Sequence, residues 1–395
     1  MSATAFPLDR RTLLAAALAG PMLPSARLYA APASAPRLLV IFLRGAYDSA
    51  SVLVPSGSFY AEARPTLALP RSGPNAAIAL DSDWALNKAL APTLLPLWQA
   101  KQLAFIPFAG TPDMSRSHFE TQDTIEYGQP LTGRRDTSSG FMNRLAQQLS
   151  GASAMSFTNR LPLSFRGPLA VPNLMPGKGG KPGDPKRSNA LASMYAGDPE
   201  LGGAVAEGLA AQQMVSTALA EEMVTSGQGA VSPSSFEALA RRIGTVMRGR
   251  PNLCFADVGG WDTHVNQGGA LDFKLGVLGR GLAGFVEAIG PAEWQRTTVI
   301  VISEFGRTFR ENGNHGTDHG HGTAFWVLGG NVRGGRIVGE QVAVTPANLN
   351  QGRDYQVLNE IRAVLGGTFQ RLYGLNAAQV EAVFPGAKPT DLKLV

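Results

Sequence analysis

The 395-residue sequence predicts an α/β fold, a mostly parallel central sheet with helices on both faces. Three observations predict it. Five short segments, apolar and rich in β-branched or aromatic residues, are nearly free of charge and read as strands buried on both sides. Helical patterns fall between and after them, as crossover connections require. The composition, 44% hydrophobic and 16% charged, supports a large core that needs no disulfides.

In chain order, the first feature is a leader. Asp9-Arg10-Arg11-Thr12-Leu13-Leu14 opens an apolar stretch from Leu13 to Leu23, and small residues follow around Ala30 to Ala35. That layout is a secretory signal with paired arginines of the twin-arginine type, so residues 1–35 read as a removable leader. The apolar run is too short, and too interrupted by Gly20-Pro21, for a stable membrane span. The expected location is periplasmic or secreted, with the twin-arginine export machinery as a partner.

The strands are expected at Arg37 to Leu43, Leu103 to Phe108, Asn252 to Asp257, Thr298 to Ser303 and Ala324 to Leu328. Helices are expected at Ala89 to Gln99, Arg116 to Tyr127, Leu271 to Ile289 and Leu358 to Leu372. Pro172 to Arg187, rich in Gly, Pro and Lys, reads as a loop, and the alanine-rich Asn189 to Met247 as mostly helical. Residues 36–395 thus read as one domain with a helical cap inserted at about 172–250, either shaping substrate entry or serving as a packing layer. No repeat of fixed period is present.

The formal net charge is +5, and no Lys/Arg stripe interleaves with aromatic residues, which argues against nucleic-acid binding. The single cysteine, Cys254, lies in an apolar run and reads as a buried small hydrophobe. Trp84, Trp98, Trp294 and Trp326 read as packing residues, whereas Trp261 either walls a pocket or packs beneath it.

In open α/β sheets ligands bind beyond the carboxyl ends of strands. The residues at those positions are Arg44 to Asp48, Thr111 to His118, Trp261 to His264 and Ser303 to Arg307, with His315, Asp318, His319 and His321 in the loop before the fifth strand. All five histidines of the chain fall in these loops. Imidazole and carboxylate suit zinc and related divalent ions, and a catalytic ion takes three or four protein ligands. Asp48, His118, Asp262, His264, Glu304, Asp318, His319 and His321 are the candidates, enough for one or two ions; zinc leads, with calcium, magnesium or manganese as alternatives. Ser115 and Ser117 are candidate nucleophiles at a helix start, or simply helix caps. Arg44, Arg116 and Arg307 are candidate clamps for an anion, or structural ion-pair partners. A metal-free serine hydrolase lacks its Gly-x-Ser-x-Gly elbow.

Five motifs, in this order, resemble the bacterial exported family known as domain of unknown function 1501. They are Phe42-Leu43-Arg44-Gly45 with Asp48, Ser115-Arg116-Ser117-His118-Phe119, Gly260-Trp261-Asp262-Thr263-His264, Ser303-Glu304-Phe305-Gly306-Arg307 and Thr317-Asp318-His319-Gly320-His321-Gly322. The family in turn resembles a distant branch of the alkaline-phosphatase/sulfatase superfamily. The resemblance implies a three-layer α/β/α sandwich with a metal site at the strand ends. It implies Asp48, Asp262, His264, Glu304 and one histidine of the Asp318 to His321 segment as metal ligands. It implies Ser117 or Ser115 as nucleophile and a small anionic phosphate or sulfate ester as substrate. Two positions depart from the pattern. Phe305 follows Glu304 where an imidazole is usual, leaving His118 or His319 as the replacement or the site with a single ion. Gly45-Ala46-Tyr47-Asp48 stands where relatives often show Gly-Gly-x-Asp, a bulk that would restrict the substrate. The rival reading is a metal-stabilised binding or assembly protein without turnover.

Overall fold

The structure, a computed structural model, describes residues 35–133, 135–174, 193–195, 198, 205 and 236–395. The expected leader and most of the expected cap lie outside the described residues.

Eleven strands are described: β1 (Arg37–Leu43), β2 (Leu53–Pro55), β3 (Ile78–Ala79), β4 (Trp84–Leu86), β5 (Leu103–Gly110), β6 (Ala154–Phe157), β7 (Leu253–Val258), β8 (Thr297–Ser303), β9 (Thr323–Gly329), β10 (Arg336–Ile337) and β11 (Asn359–Glu360). The helices are α1 (Ser58–Ala63), α2 (Ala91–Gln99), α3 (His118–Tyr127), α4 (Phe141–Gln148), α5 (Phe236–Met247), α6 (Gln267–Ile289), α7 (Pro291–Trp294), α8 (Ile361–Tyr373) and α9 (Ala377–Val383). The main sheet runs β10-β5-β9-β8-β1-β7-β6, with β11 also on β5, and β2-β4-β3 form a small separate sheet.

Alternation along the strands builds three layers, because successive side chains point to opposite faces. On one face Leu39, Ile41, Cys254, Val299 and Trp326 pack with Leu94 and Trp98 of α2, Ile243 of α5 and Leu275 and Phe285 of α6. On the other, Leu38, Val40, Phe255, Ile300 and Phe325 pack with Ile125 of α3, Phe141 of α4, Phe369 of α8 and Val380 of α9. The central strands are therefore apolar along most of their length, as the charge-poor segments predict. Cys254 is fully buried, and Trp84, Trp98, Trp294 and Trp326 lie in the core.

The sheet is mainly parallel, and its one reversal positions the site. β1 pairs parallel with β7 and β8, and Leu43 sits opposite both Val258 and Ser303. The chain thus leaves three adjacent strands at one edge and one level. β9 runs antiparallel to both β5 and β8. Its first residue, Thr323, consequently lies at that same edge, and the connection from Glu304 to Gly322 never leaves it. β5 ends there too and leads to α3.

Candidate metal centre

Each strand-end loop is anchored before it presents a functional side chain. Trp261 is buried, its Nε1–H donates to the Val258 carbonyl at 2.8 Å, and its ring meets Tyr47 edge-on. That anchor leaves the next residue, Asp262, at the surface. Gly45 makes the approach possible: a Cβ there would lie 2.8 Å from the Asp262 nitrogen, and its φ of +112° suits no other residue. Gly316 likewise lies against the His264 carbonyl, where a Cβ would intrude to 2.3 Å.

Three imidazoles and one carboxylate converge. His118 Nε2 lies 3.0 Å from His319 Nε2 and 3.4 Å from Asp262 Oδ2, and His319 Nε2 lies 3.3 Å from Asp262 Oδ1. His264 Nε2 joins at 3.2 Å from His319 Nε2 and 2.9 Å from Asp262 Oδ1. Each ring is held from behind. His118 Nδ1 is 2.8 Å from Glu304 Oε1, His264 Nδ1 is 3.1 Å from Asp318 Oδ1, and His319 Nδ1 is 3.0 Å from the Arg116 carbonyl oxygen. Arg116 adopts a φ of +53°, an uncommon conformation for a residue with a side chain, and its carbonyl is the one that His319 reaches.

These partners settle the tautomers. A carbonyl and two ionised carboxylates only accept, so all three Nδ1 atoms carry hydrogen. In the neutral rings all three Nε2 lone pairs then face one another, which is unfavourable without a positive charge among them. Carboxylate or carbonyl behind histidine is the arrangement that fixes metal-ligating imidazoles. With zinc–nitrogen bonds of about 2.0–2.1 Å, the ligands of one tetrahedral ion stand about 3.3 Å apart. The trio of His118, Asp262 and His319 has that spacing, so the donor set fits a divalent ion.

The electrostatics agree. The hydrogen bond to Glu304 raises the pKa of His118 above the usual imidazole value despite burial. Burial, reinforced by the neighbouring His118, lowers that of His319. Burial opposes the charge on Asp262, but Arg307 and the histidines outweigh it and hold its pKa below the ordinary carboxylate value.

Several residues expected to bind the ion have other partners. Asp48 is buried in a two-pronged ion pair with Arg64 at 2.5 and 3.0 Å, and its Oδ2 also accepts from Ser51 Oγ and Gln267 Nε2 at 2.6 Å each. Its lone pairs are consumed, so Asp48 is structural. Glu304 is fully buried; its Oε1 accepts from His118, from the Gly45 N–H at 2.7 Å and from Gln122 at 2.9 Å. Its contacts place it behind the His118 ring, at Nδ1. Asp318 stands behind His264 in the same way and also accepts from Asn312 at 3.0 Å. His321 lies apart from the cluster, buried beside Asp113, Arg116 and Asp354.

The expected anion clamps are also engaged. Arg44 is paired with Glu126 at 2.9 Å and Asp257 at 2.7 Å. Arg307, its side chain fully buried, grips Asp262 at 2.5 Å and the Thr317 carbonyl. Arg116 pairs with Asp354 at 3.1 Å. Ser117 caps α3, its Oγ accepting from the Glu120 N–H at 3.5 Å. Ser115 is exposed, and its Oγ contacts Thr121 Oγ1 and the Ser117 N–H, both at 3.3 Å. Phe305 stacks on His118 at 4.9 Å and walls the cluster from the sheet side. Tyr47, fully buried, donates to the Ala324 carbonyl and accepts from Trp326 at 2.9 Å, so its ring belongs to the core. Trp261 packs in the core as well. Sequence reasoning missed Arg64, Gln122, Gln267 and Asn312, ordinary polar residues in segments without any motif.

Among solved structures, the chain is similar to Ps i-CgsB in complex with k-i-k-neocarrahexaose, at 12% identity and a TM-score of 0.41, with 90% of this chain and 75% of that one covered. It is also similar to the lipoteichoic acid synthase LtaP from Listeria monocytogenes, at 10% identity and a TM-score of 0.40, covering 94% and 78%. A third is a 2-O GAG sulfatase, at 11% identity and a TM-score of 0.41, covering 90% and 72%. Comparison with curated proteins finds no match. The family described as "Protein of unknown function (DUF1501)" matches residues 35–384, and the chain belongs to that family.

Proposed function

We propose that this chain is a metal-dependent hydrolase of phosphate or sulfate esters, exported to the periplasm by the twin-arginine route. The observation that carries the reading is the set of three Nδ1-anchored imidazoles whose Nε2 atoms converge beside Asp262. His118, Asp262, His319 and His264 would hold the ion. A donor set dominated by imidazole suits zinc better than calcium or magnesium, which prefer all-oxygen shells. A bound divalent ion would supply Lewis-acid polarisation of an ester oxygen.

The chain's own groups supply the rest. Glu304, Asp318 and the Arg116 carbonyl fix the rings, and Arg307 fixes Asp262. Phe305 excludes water from one side, while Asp262 and His264, about two-fifths exposed, leave the other side open to a ligand. Ser117 directly precedes His118, and its Oγ has one long capping contact, so it is the hydroxyl free to attack an ester centre. The N-terminus of α3 adds N–H groups that favour an anion.

A second reading has its own support. Arg44, Arg116 and Arg307 are all paired within the protein, as a metal-stabilised binding protein without turnover would permit. Elemental analysis of the purified exported chain, then a panel of phosphate and sulfate esters with and without chelator, separates the two. The hydrolase reading expects bound metal, chelator-sensitive turnover and its loss in Ser117→Ala, with Ser115→Ala spared. Bound metal with no turnover on any ester favours the binding protein; a chain that takes up no divalent ion refutes both.

A further inference from the structure

A fully buried glutamine joins two of the loops that build the site, those of Asp262–His264 and His319, to the loop after β1. Gln267 is the first residue of α6, and its backbone N–H donates to the His315 carbonyl at 2.8 Å. Its side-chain amide has only one possible orientation. The neighbour at 2.6 Å on the Nε2 side is Asp48 Oδ2, an acceptor, so Nε2 must donate there. Oε1 therefore accepts, and it does so twice, from Thr263 Oγ1 at 2.8 Å and Thr317 Oγ1 at 2.6 Å. Because Thr317 has given its hydrogen to Gln267, its oxygen is left to accept from Arg307 Nε at 3.2 Å. Arg307 in turn grips Asp262.

Each donated hydrogen in this series has its acceptor: Arg307 donates on one side to Asp262 and on the other to Thr317, Thr317 donates to Gln267, and Gln267 donates to Asp48. Asp48 is locked by Arg64, so the relay ends on a fixed point in the core. Thr263 lies between Asp262 and His264, and Thr317 lies two residues before His319. One side chain thus ties both ligand-bearing loops to the loop after β1. The same segments are also joined through their backbones: the Thr317 N–H donates to the Thr263 carbonyl at 3.1 Å, and the Asn266 and Gln267 N–H groups donate to the Asn314 and His315 carbonyls at 2.9 and 2.8 Å.

We infer that Gln267 is the positioning residue of the site, setting the spacing between the Asp262–His264 loop and the His319 loop without touching the ion or a substrate. The metal arm of this inference rests on the hydrolase reading above; the loop arm does not. Gln267→Leu keeps most of the volume and removes both hydrogen-bonding functions, leaving the threonine hydroxyls unanchored. Thr317→Val is isosteric and breaks the relay at one link. Leu365→Ala, in the core on the opposite face of the sheet, is the control for general destabilisation.

Hydrogen exchange of the metal-free proteins comes first. In both relay variants the amides of residues 260–267 and 315–321 should exchange at least about tenfold faster, with the amides of β1 and β8 unchanged; Leu365→Ala should show no such selective loosening. Zinc titration against a competing chelator comes second, with folding checked by circular dichroism. Gln267→Leu should weaken zinc at least about tenfold, Thr317→Val less, and Leu365→Ala not at all. Loop exchange identical to wild type in both relay variants overturns the inference. So does loosened exchange with unchanged zinc affinity, because the glutamine would then hold the loops without setting the site. If the wild-type chain binds no zinc but the loops loosen as expected, the metal reading fails and Gln267 stands as the organiser of those loops.

Discussion

Replacing Glu304 by glutamine removes one charge and almost no volume, and it separates a metal ligand from a residue that orients one. Oε1 of Glu304 gathers three donors: His118 Nδ1 at 2.8 Å, the Gly45 N–H at 2.7 Å and Gln122 Nε2 at 2.9 Å. A glutamine carbonyl can take that position, and its amide can turn to Ser303 Oγ, which lies 3.0 Å from Oε2. Packing is retained, while the bond to His118 changes from charge-assisted to neutral, roughly half as strong. Loss of such a partner behind a ligating histidine typically weakens metal binding about 10–100-fold, or about 1.4–2.7 kcal/mol. The same change should bring the raised pKa of His118 down, since the Glu304 hydrogen bond is the main reason it is raised. Zinc affinity is read by chelator competition, and the His118 titration by ring-proton shifts of the metal-free protein. A loss of about a thousandfold or more would mean that Glu304 itself ligates the ion. No loss at all would mean that His118 does not.

Two further outcomes follow from buried or shifted charges. Arg64→Met leaves the Asp48 carboxylate buried with only Ser51 and Gln267 for company, which should cost about 3–5 kcal/mol in urea unfolding; a cost under about 1 kcal/mol would show that water reaches the site. Asp48, Asp262, Glu304 and Asp318 all have pKa values held below the ordinary carboxylate value, burial opposing and their bonding partners prevailing. Their stabilisation is complete above the unfolded carboxyl values, about 3.9–4.3, and is lost as pH falls through the lower folded ones. His118, raised, favours the fold below about pH 6.5 and ceases to as pH rises through its folded value; His319 and His321, lowered chiefly by burial, act in the opposite sense. The histidine contributions oppose one another, so the carboxylates set the acid limb. Urea midpoints of metal-free protein should fall steeply below about pH 4, and ring-proton titrations should find His118 above His319 and His321; the reverse order would contradict the tautomers assigned here.

The layered architecture was legible because both faces of the sheet are buried. A strand packed on both sides is apolar along most of its length, so the runs 37–43, 253–258, 297–303 and 323–329 stand out against a chain with few charges to spare. The short strands do not. Ala154–Phe157 is a four-residue edge strand with one half-exposed end, and the two-residue pairs of β10 and β11 exist only because β5 offers them a partner. The reversal of β9 was equally hidden, since a strand carries no local mark of its direction. Its consequence for function is large, because the reversal keeps His319 at the edge where His118 and His264 already are.

The site was legible as a neighbourhood and not as a set of roles. Loops after parallel strands in register must adjoin, so clustering of Asp262, His264, Glu304 and His319 follows from topology once the strands are placed. Residue type cannot say which atom of a carboxylate or imidazole faces the centre; that depends on what stands behind it. Asp48 illustrates the limit. It follows β1 as a ligand would, yet sixteen residues later the chain supplies Arg64, whose guanidinium satisfies both oxygens in a pocket closed to water. A carboxylate so paired cannot also bind a cation without abandoning a buried arginine, at a cost of about 3–5 kcal/mol. The exchange of roles is therefore physical: carboxylates that find buried donors become supports, as Asp48 and Glu304 have, and the groups whose lone pairs remain unclaimed are the Nε2 atoms of His118, His264 and His319, the ones we propose for the ion.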